Sequence, residues 1–353
     1  MTTYWLMLFV PLLAGLSPWK AKGALPNLQW FLYGAILIFI IGLRHEVGGD
    51  WIAYMENYAR LEGTRFSDAI FLSSISMDIG FEITHWFSLN YLNGIYATNL
   101  ICAAIFVAGL IRISQCMPIP WLALVVSMPY LVIVVAMGYT RQAAAIGFIM
   151  WGLIDLMNGK QLWFYFMVLL GSLFHKTAFL MLPVGFLYSN SIRDVKALFL
   201  FMLLFVFAFV LFIADRIQNL VYYYVTDTGG MSSSGAAIRV GMNVGSAFVF
   251  LYFRKAWAGR YEDVYLWTIF SVINLLLFPL AFVISTTIDR VALYFLPMQF
   301  IILSRVPIFI SSIYHRTIFV LCVVFIYISI MFVWLNYGSF SSSWLPYRNI
   351  FFK

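Results

Sequence analysis

Apolar runs of about 20 residues, separated by short polar or charged breaks, recur along the whole 353-residue chain. Each is long enough for a helix that crosses a bilayer, and the alternating segments of about 10 residues that mark a β-barrel do not occur. The pattern predicts crossings over about 3–17, 26–43, 94–113, 121–138, 142–157, 197–214, 238–253, 264–284, 291–304 and 317–336. A further run, Leu162 to Tyr188, carries Phe174-His175-Lys176-Thr177-Ala178 at its middle. Lys costs roughly 2.5–3.5 kcal/mol at the centre of a bilayer, so this run is predicted to break rather than continue. Basic loops at Lys160 and at Arg193 and Lys196 put both of its ends on one side. The chain therefore doubles back at His175 as two half-helices, about 161–174 and 176–189. Each spans near 21 Å at 1.5 Å per residue, short of the roughly 30 Å hydrocarbon core, so the turn is expected to sit below the outer surface. The fold class expected is an all-α polytopic membrane protein of about 12 spans, one integral membrane domain over residues 1–353.

Charge orients these spans. The segments assigned to the inside carry 11 Lys/Arg and 4 Asp/Glu, and those outside carry 10 and 10, so the net charge of +7 falls on one side. That asymmetry accounts for the basic balance without nucleic acid as a partner. Met1-Thr2-Thr3-Tyr4 lacks a basic leader, so the first run is expected to stay as a span. Cys102, Cys116 and Cys322 are scattered in or beside apolar runs and form neither a disulfide framework nor a metal set. No metal or other cofactor is expected, and no Walker or GxGxxG loop supports a nucleotide. The polar stretch 44–93 is the exception to the apolar pattern. Trp51, Tyr54, Met55, Tyr58 and Leu61 form one stripe at helical spacing, as in an interfacial helix, and 66–92 resembles a re-entrant segment. The outer loop 215–237, with its Gly229-to-Gly235 core, is expected to be mobile.

Five charged groups fall on the predicted outer face: Arg44 with Glu46 and Asp50; Tyr139-Arg141-Gln142; His175-Lys176; Arg239; and Asp289-Arg290. Guanidinium forks and an ammonium around a few carboxylates suit an anion such as phosphate. Taken singly, each has a structural alternative. Arg44 can snorkel, Arg141 can pack against its Ala-rich helix, His175 can be a satisfied core residue, and Asp289-Arg290 can be an ion pair. Their shared face favours a site.

Arg44-His45-Glu46-Val47-Gly48-Gly49-Asp50-Trp51-Ile52-Ala53-Tyr54 resembles the R-x-x-x-G-x-D-[YW]-x-x-Y signature of the EpsG family of Wzy-type polysaccharide polymerases. Tyr139-Thr140-Arg141-Gln142, Phe174–Ala178, Asp289–Tyr294 and Trp344-Leu345-Pro346-Tyr347 are similar to the family's later motifs, in the same order. Gly49 departs from the residue more usual before the Asp. The resemblance implies a GT-C-like glycosyltransferase in a bacterial inner membrane, with its active site facing the periplasm. Such an enzyme joins glycan repeat units of O-antigen, capsule or exopolysaccharide carried on undecaprenyl pyrophosphate, without a metal. Its partners would be the lipid-linked donor and acceptor and the bilayer, and the likeness allows a chain-length regulator and a flippase besides.

On this resemblance Arg141, Arg290 and Arg44, supported by Lys176 and Arg239, would hold the pyrophosphate. Asp50 and His175 are both candidates for the general base. Tyr139, Gln142 and Glu82 would orient sugar hydroxyls, and Asp289 is a further candidate for substrate binding. A flippase for a lipid-linked glycan is the alternative, and a membrane acyltransferase a third. One-sided charge and the lack of a visible repeat favour the polymerase over the flippase.

Overall fold

A computed structural model describes residues 1–16, 25–67, 70, 78–92, 94–188 and 235–351. The described residues are helical almost throughout, with one isolated bridge, Arg44 to Asn349, outside the helices. Gly94–Gln115, Ala236–Ala258 and Ile313–Tyr337 are each long and apolar enough to cross a membrane. A fourth crossing arises if the bent pair Ser285–Phe295 and Pro297–Phe309 forms one span. Shorter apolar helices of 10–17 residues accompany them. This is the helix set of a membrane protein, though the described residues display fewer clear crossings than the 12 expected. The expected span at 197–214 and most of the expected mobile loop 215–237 lie outside the described residues. The described helix that follows begins at Ala236.

In chain order we name α1 (Thr2–Leu16), α2 (Leu25–Gly42), α3 (Trp51–Leu61), α4 (Ile79–Tyr91), α5 (Gly94–Gln115) and α6 (Pro120–Ser127). After them come α7 (Thr140–Met157), α8 (Gln161–Phe174), α9 (Leu182–Tyr188), α10 (Ala236–Ala258) and α11 (Val264–Leu280). The last are α12 (Ser285–Ala292), α13 (Pro297–Arg305) and α14 (Ile313–Tyr337). The core is built around α6 and the π-helical stretch Met128–Ala136 that extends it, every residue of which is buried. Pro129 removes one backbone donor there, in keeping with the wider helical register. α5 and α7 cross at Gly109 and Gly147. A Cβ on Gly109 would lie 2.2 Å from the Gly147 carbonyl oxygen, so only small residues allow this approach.

The run around His175 breaks as its charge requires. α8 ends at Phe174, His175 is extended (φ −151°, ψ 111°), and a 3-10 turn, Lys176–Met181, leads into α9. The return is antiparallel. A Cβ on Gly171 would meet Ala178 at 3.6 Å, and one on Gly185 would meet Phe164 at 2.7 Å.

The predicted interfacial helix is α3, which buries Tyr54 and Leu61 but exposes Met55, a member of the expected stripe. The expected re-entrant segment contributes α4, whose Gly80 packs against Leu173 of α8, while 71–77 lie outside the described residues. Asp289-Arg290, expected at the outer end of a span, are helical within α12, which bends by 43° into α13 at Pro297. The reason is amphipathicity: Ile288, Asp289 and Ala292 turn inward while Arg290 turns outward, so one turn of polar residues still buries a face.

The tail after α14 folds back into the body. Trp344 is buried and its indole N–H donates to the Ile133 carbonyl at 2.9 Å, inside the π-helical stretch. The Gly48 N–H donates to the Ser343 carbonyl at 2.8 Å, and the His45 N–H to that of Arg348 at 3.0 Å. Tail, Arg44–Asp50 loop and the start of α7 are thereby held at one end of the helices. The opposite end carries the pairs Arg112–Asp155 at 3.3 Å and Arg305–Asp263 at 2.5 Å.

Candidate active site

Two acids stand at helix starts yet do not cap them. Asp50 precedes α3 and Asp78 precedes α4, and neither side chain makes a capping hydrogen bond to its helix. An Asp at such a position ordinarily accepts from the first-turn N–H groups. Here the Asp78 carboxylate reaches α7 and the His175 break instead, and that of Asp50 meets the Tyr54 hydroxyl.

Asp78 is the hub. Its Oδ2 accepts from Arg141 Nη1 at 2.9 Å and lies 3.3 Å from His175 Nδ1, and its Oδ1 accepts from the Lys176 backbone N–H at 2.9 Å. Only 3% of its side chain is exposed. Burial alone would push this carboxyl up. The bond and charge of His175, the Arg141 guanidinium and the Lys176 N–H outweigh it and hold Asp78 below the usual carboxylate range. One carboxylate thus ties α4, α7 and the break between α8 and α9.

Arg141 lies over the rings of Tyr54 and Phe81, 5.8 and 5.7 Å from their centroids, and keeps 34% of its side chain exposed. Asp50 accepts from the Tyr54 hydroxyl at 3.4 Å. Burial pushes its carboxyl above the ordinary carboxylate range, against the pull of Arg141 and Arg290. The charge of Arg290 acts on Asp50, His175 and Tyr139. Its backbone carbonyl accepts from Gln142 Nε2 at 2.7 Å, while its guanidinium is exposed and makes no hydrogen bond among the described residues.

Arg239 and Asp289 form a two-pronged pair, Nε to Oδ1 at 2.6 Å and Nη2 to Oδ2 at 2.5 Å. The arginine lies 5.5 Å from the Tyr130 ring centroid. Tyr139 feels the charge of this pair and of Asp50 and Arg290.

The sequence expectations divide on this geometry. Asp50, Tyr139, Arg141, His175 and Arg290 come together, with Gln142 and the Lys176 backbone holding their neighbours. Arg239 and Asp289 adjoin them as an ion pair. Arg44 is placed differently: it is 1% exposed, donating to the Val47 and Ile41 carbonyls, Asn99 Oδ1 and Thr140 Oγ1 at 3.1, 2.5, 3.4 and 2.6 Å. Four of five donors are thus taken within the protein, so it braces the loop and α7 rather than facing a ligand. Glu82 is buried on α4 and accepts from Asn57 at 2.9 Å, apart from the hub. Asp78 was not singled out from the sequence. Its one local signal, an acid just ahead of an apolar helix, reads as an ordinary cap.

The model of the EpsG family matches residues 27–349. The chain belongs to the EpsG family. No curated protein and no solved structure matches it. EpsG is a family of Wzy-like polysaccharide polymerases, so this membrane protein is a polysaccharide polymerase of the glycosyltransferase type. The match covers the Arg44–Asp50 loop, α7, the His175 break and α12, and with them every residue of the cluster. Chemically, this EpsG-family cluster offers a guanidinium that is unbonded among the described residues, a second guanidinium on aromatic faces, and two groups able to accept a proton.

Proposed function

We propose that this cluster joins oligosaccharide repeat units carried on undecaprenyl pyrophosphate, at the periplasmic face of a bacterial inner membrane, in a GT-C-like fold. The anomeric C–O bond to the donor's pyrophosphate breaks, and its electron pair leaves with the lipid pyrophosphate. A new bond forms from that carbon to a hydroxyl oxygen of the acceptor's sugar, whose proton passes to a base. Arg290 and Arg141 stabilise the charge that grows on the pyrophosphate, with Lys176 alongside. Since arginines meet that charge, the step as written needs no metal. His175 or Asp50 takes the proton, Tyr139 lies against the sugars, and the Arg239–Asp289 pair borders them.

The observation that carries this reading is the Arg290 guanidinium. Among the described residues it makes no hydrogen bond, where the other arginines described at this end are bonded, and its charge acts on both proton acceptors. An anionic leaving group fits that vacancy better than a neutral ligand does.

Replacing Arg290, Arg141 or His175 by Ala in the producing cell tests it, with glycan gels and protein level as readouts. We expect single repeat units in place of ladders at unchanged protein level. Normal ladders from all three variants would remove the site, and repeat units trapped on the inner leaflet would instead indicate a flippase.

A further inference from the structure

Asp50 and His175 compete for the role of base, and the hub separates them. Resting on the polymerase reading above, we propose that Asp78 is a positioning residue that makes His175 the general base. The geometry points to one tautomer. The Nδ1 edge of the imidazole faces Asp78 Oδ2 at 3.3 Å, so the proton sits on Nδ1 and Nε2 carries the lone pair. Nε2 makes no hydrogen bond among the described residues, and it is not one of the buried atoms left without a partner. It is therefore the nitrogen open to an acceptor.

The ring cannot swing freely. His175 is extended, its own N–H donates to the Gly171 carbonyl at 2.9 Å, and its carbonyl accepts from Ala178 at 2.9 Å. The Lys176 N–H to Asp78 Oδ1 fixes the carboxylate relative to this same turn. Asp78 holds ring and backbone together through its two oxygens, and Arg141 anchors the carboxylate from α7.

In the transfer step the acceptor hydroxyl gives its proton to Nε2 as its oxygen bonds the anomeric carbon. The imidazolium formed is stabilised by the Asp78 carboxylate, which stays ionised, and the proton then passes to water. Charges facing His175 are Asp78 in contact, with Asp50, Arg141 and Arg290 at longer range. Asp50, bonded by Tyr54, is left to hold a sugar hydroxyl or to balance the arginines.

The test uses the purified full-length chain in proteoliposomes with a synthetic undecaprenyl-pyrophosphate repeat unit, following turnover against pH. Asp78→Asn keeps an oxygen for the Lys176 N–H but lets the amide donate to Nδ1, which favours the wrong tautomer. We expect kcat to fall about 10²–10⁴-fold with KM little changed, as for loss of an orienting carboxylate beside a catalytic imidazole. The acid limb of the residual activity should move to lower pH, because the imidazolium has lost its counter-charge. Asp78→Glu should restore part of the rate, and His175→Gln should remove the limb altogether. Should Asp78→Asn not fold, ¹⁵N shifts of His175 in the native protein report the tautomer directly. Nδ1-protonated imidazole supports the proposal and Nε2-protonated imidazole overturns it. An acid limb that survives in His175→Gln and vanishes in Asp50→Asn would also overturn it. Full turnover in Arg290→Ala and Arg141→Ala would instead defeat the polymerase site itself.

Discussion

Arg44 and Arg290 look alike in the sequence, each an arginine at the outer edge of an apolar run, and their surroundings set them apart. Arg44 is enclosed by the Ile41 and Val47 carbonyls, Asn99 and Thr140. Losing it leaves buried acceptors unsatisfied, at about 1–3 kcal/mol each. We expect Arg44→Ala to lower the thermal midpoint in detergent by several degrees and to reduce the folded yield. Arg290→Ala should leave the midpoint unchanged and slow turnover by about 10²–10³-fold, the usual cost of one preorganised donor at a developing charge. A melting curve and a rate on both variants check this, and equal melting losses would contradict it. Residue identity thus exposed most of the cluster but not which arginine is already bonded, since hydrogen-bond partners such as Thr140 lie 96 positions away. Asp78 was hidden for the same reason. Its partners are 63, 97 and 98 positions distant, and its local context is that of a helix cap.

Among the elements, the break at His175 was the most legible. Charge on both flanks required an even number of crossings, and a buried imidazole and ammonium could not lie within an unbroken apolar helix. The glycine turn before Asp50 was legible as a turn, but not which glycine it needs. Gly48 has φ +110°, and a Cβ there would stand 2.2 Å from the Met137 carbonyl oxygen, whereas one on Gly49 would meet only the Trp344 ring at 3.5 Å. Gly48→Ala should therefore displace Asp50 and abolish polymer ladders, while Gly49→Ala keeps them. Glycan gels on the two variants decide it, and equal effects would mean the loop does not position the acid. α12 falls largely between two expected crossings because its residues are polar and β-branched. Tertiary burial of Ile288 and Ala292 overrode that local preference.

At the scale of the whole molecule, charge sorts to two ends. Arg141 opens α7 and Asp155 closes it, about 21 Å apart along the helix at 1.5 Å per residue. One end is knitted by ion pairs such as Arg305–Asp263. At the other, α4, α7 and the His175 break converge on Asp78, and the Arg290 guanidinium makes no hydrogen bond among the described residues. That sidedness was readable from the loop charges. The meeting of the segments was not, because it depends on the Gly109–Gly147 crossing and on Trp344 wedged beside Gly138, contacts that no local pattern specifies. The most direct measurement is a reconstitution of the purified chain with one defined undecaprenyl-pyrophosphate-linked repeat unit. Lipid-linked dimers and longer chains should form, with one undecaprenyl pyrophosphate released per new linkage, and both products should vanish in Arg290→Ala. Repeat units that cross the bilayer unjoined, or joining that proceeds undiminished in that variant, would contradict it.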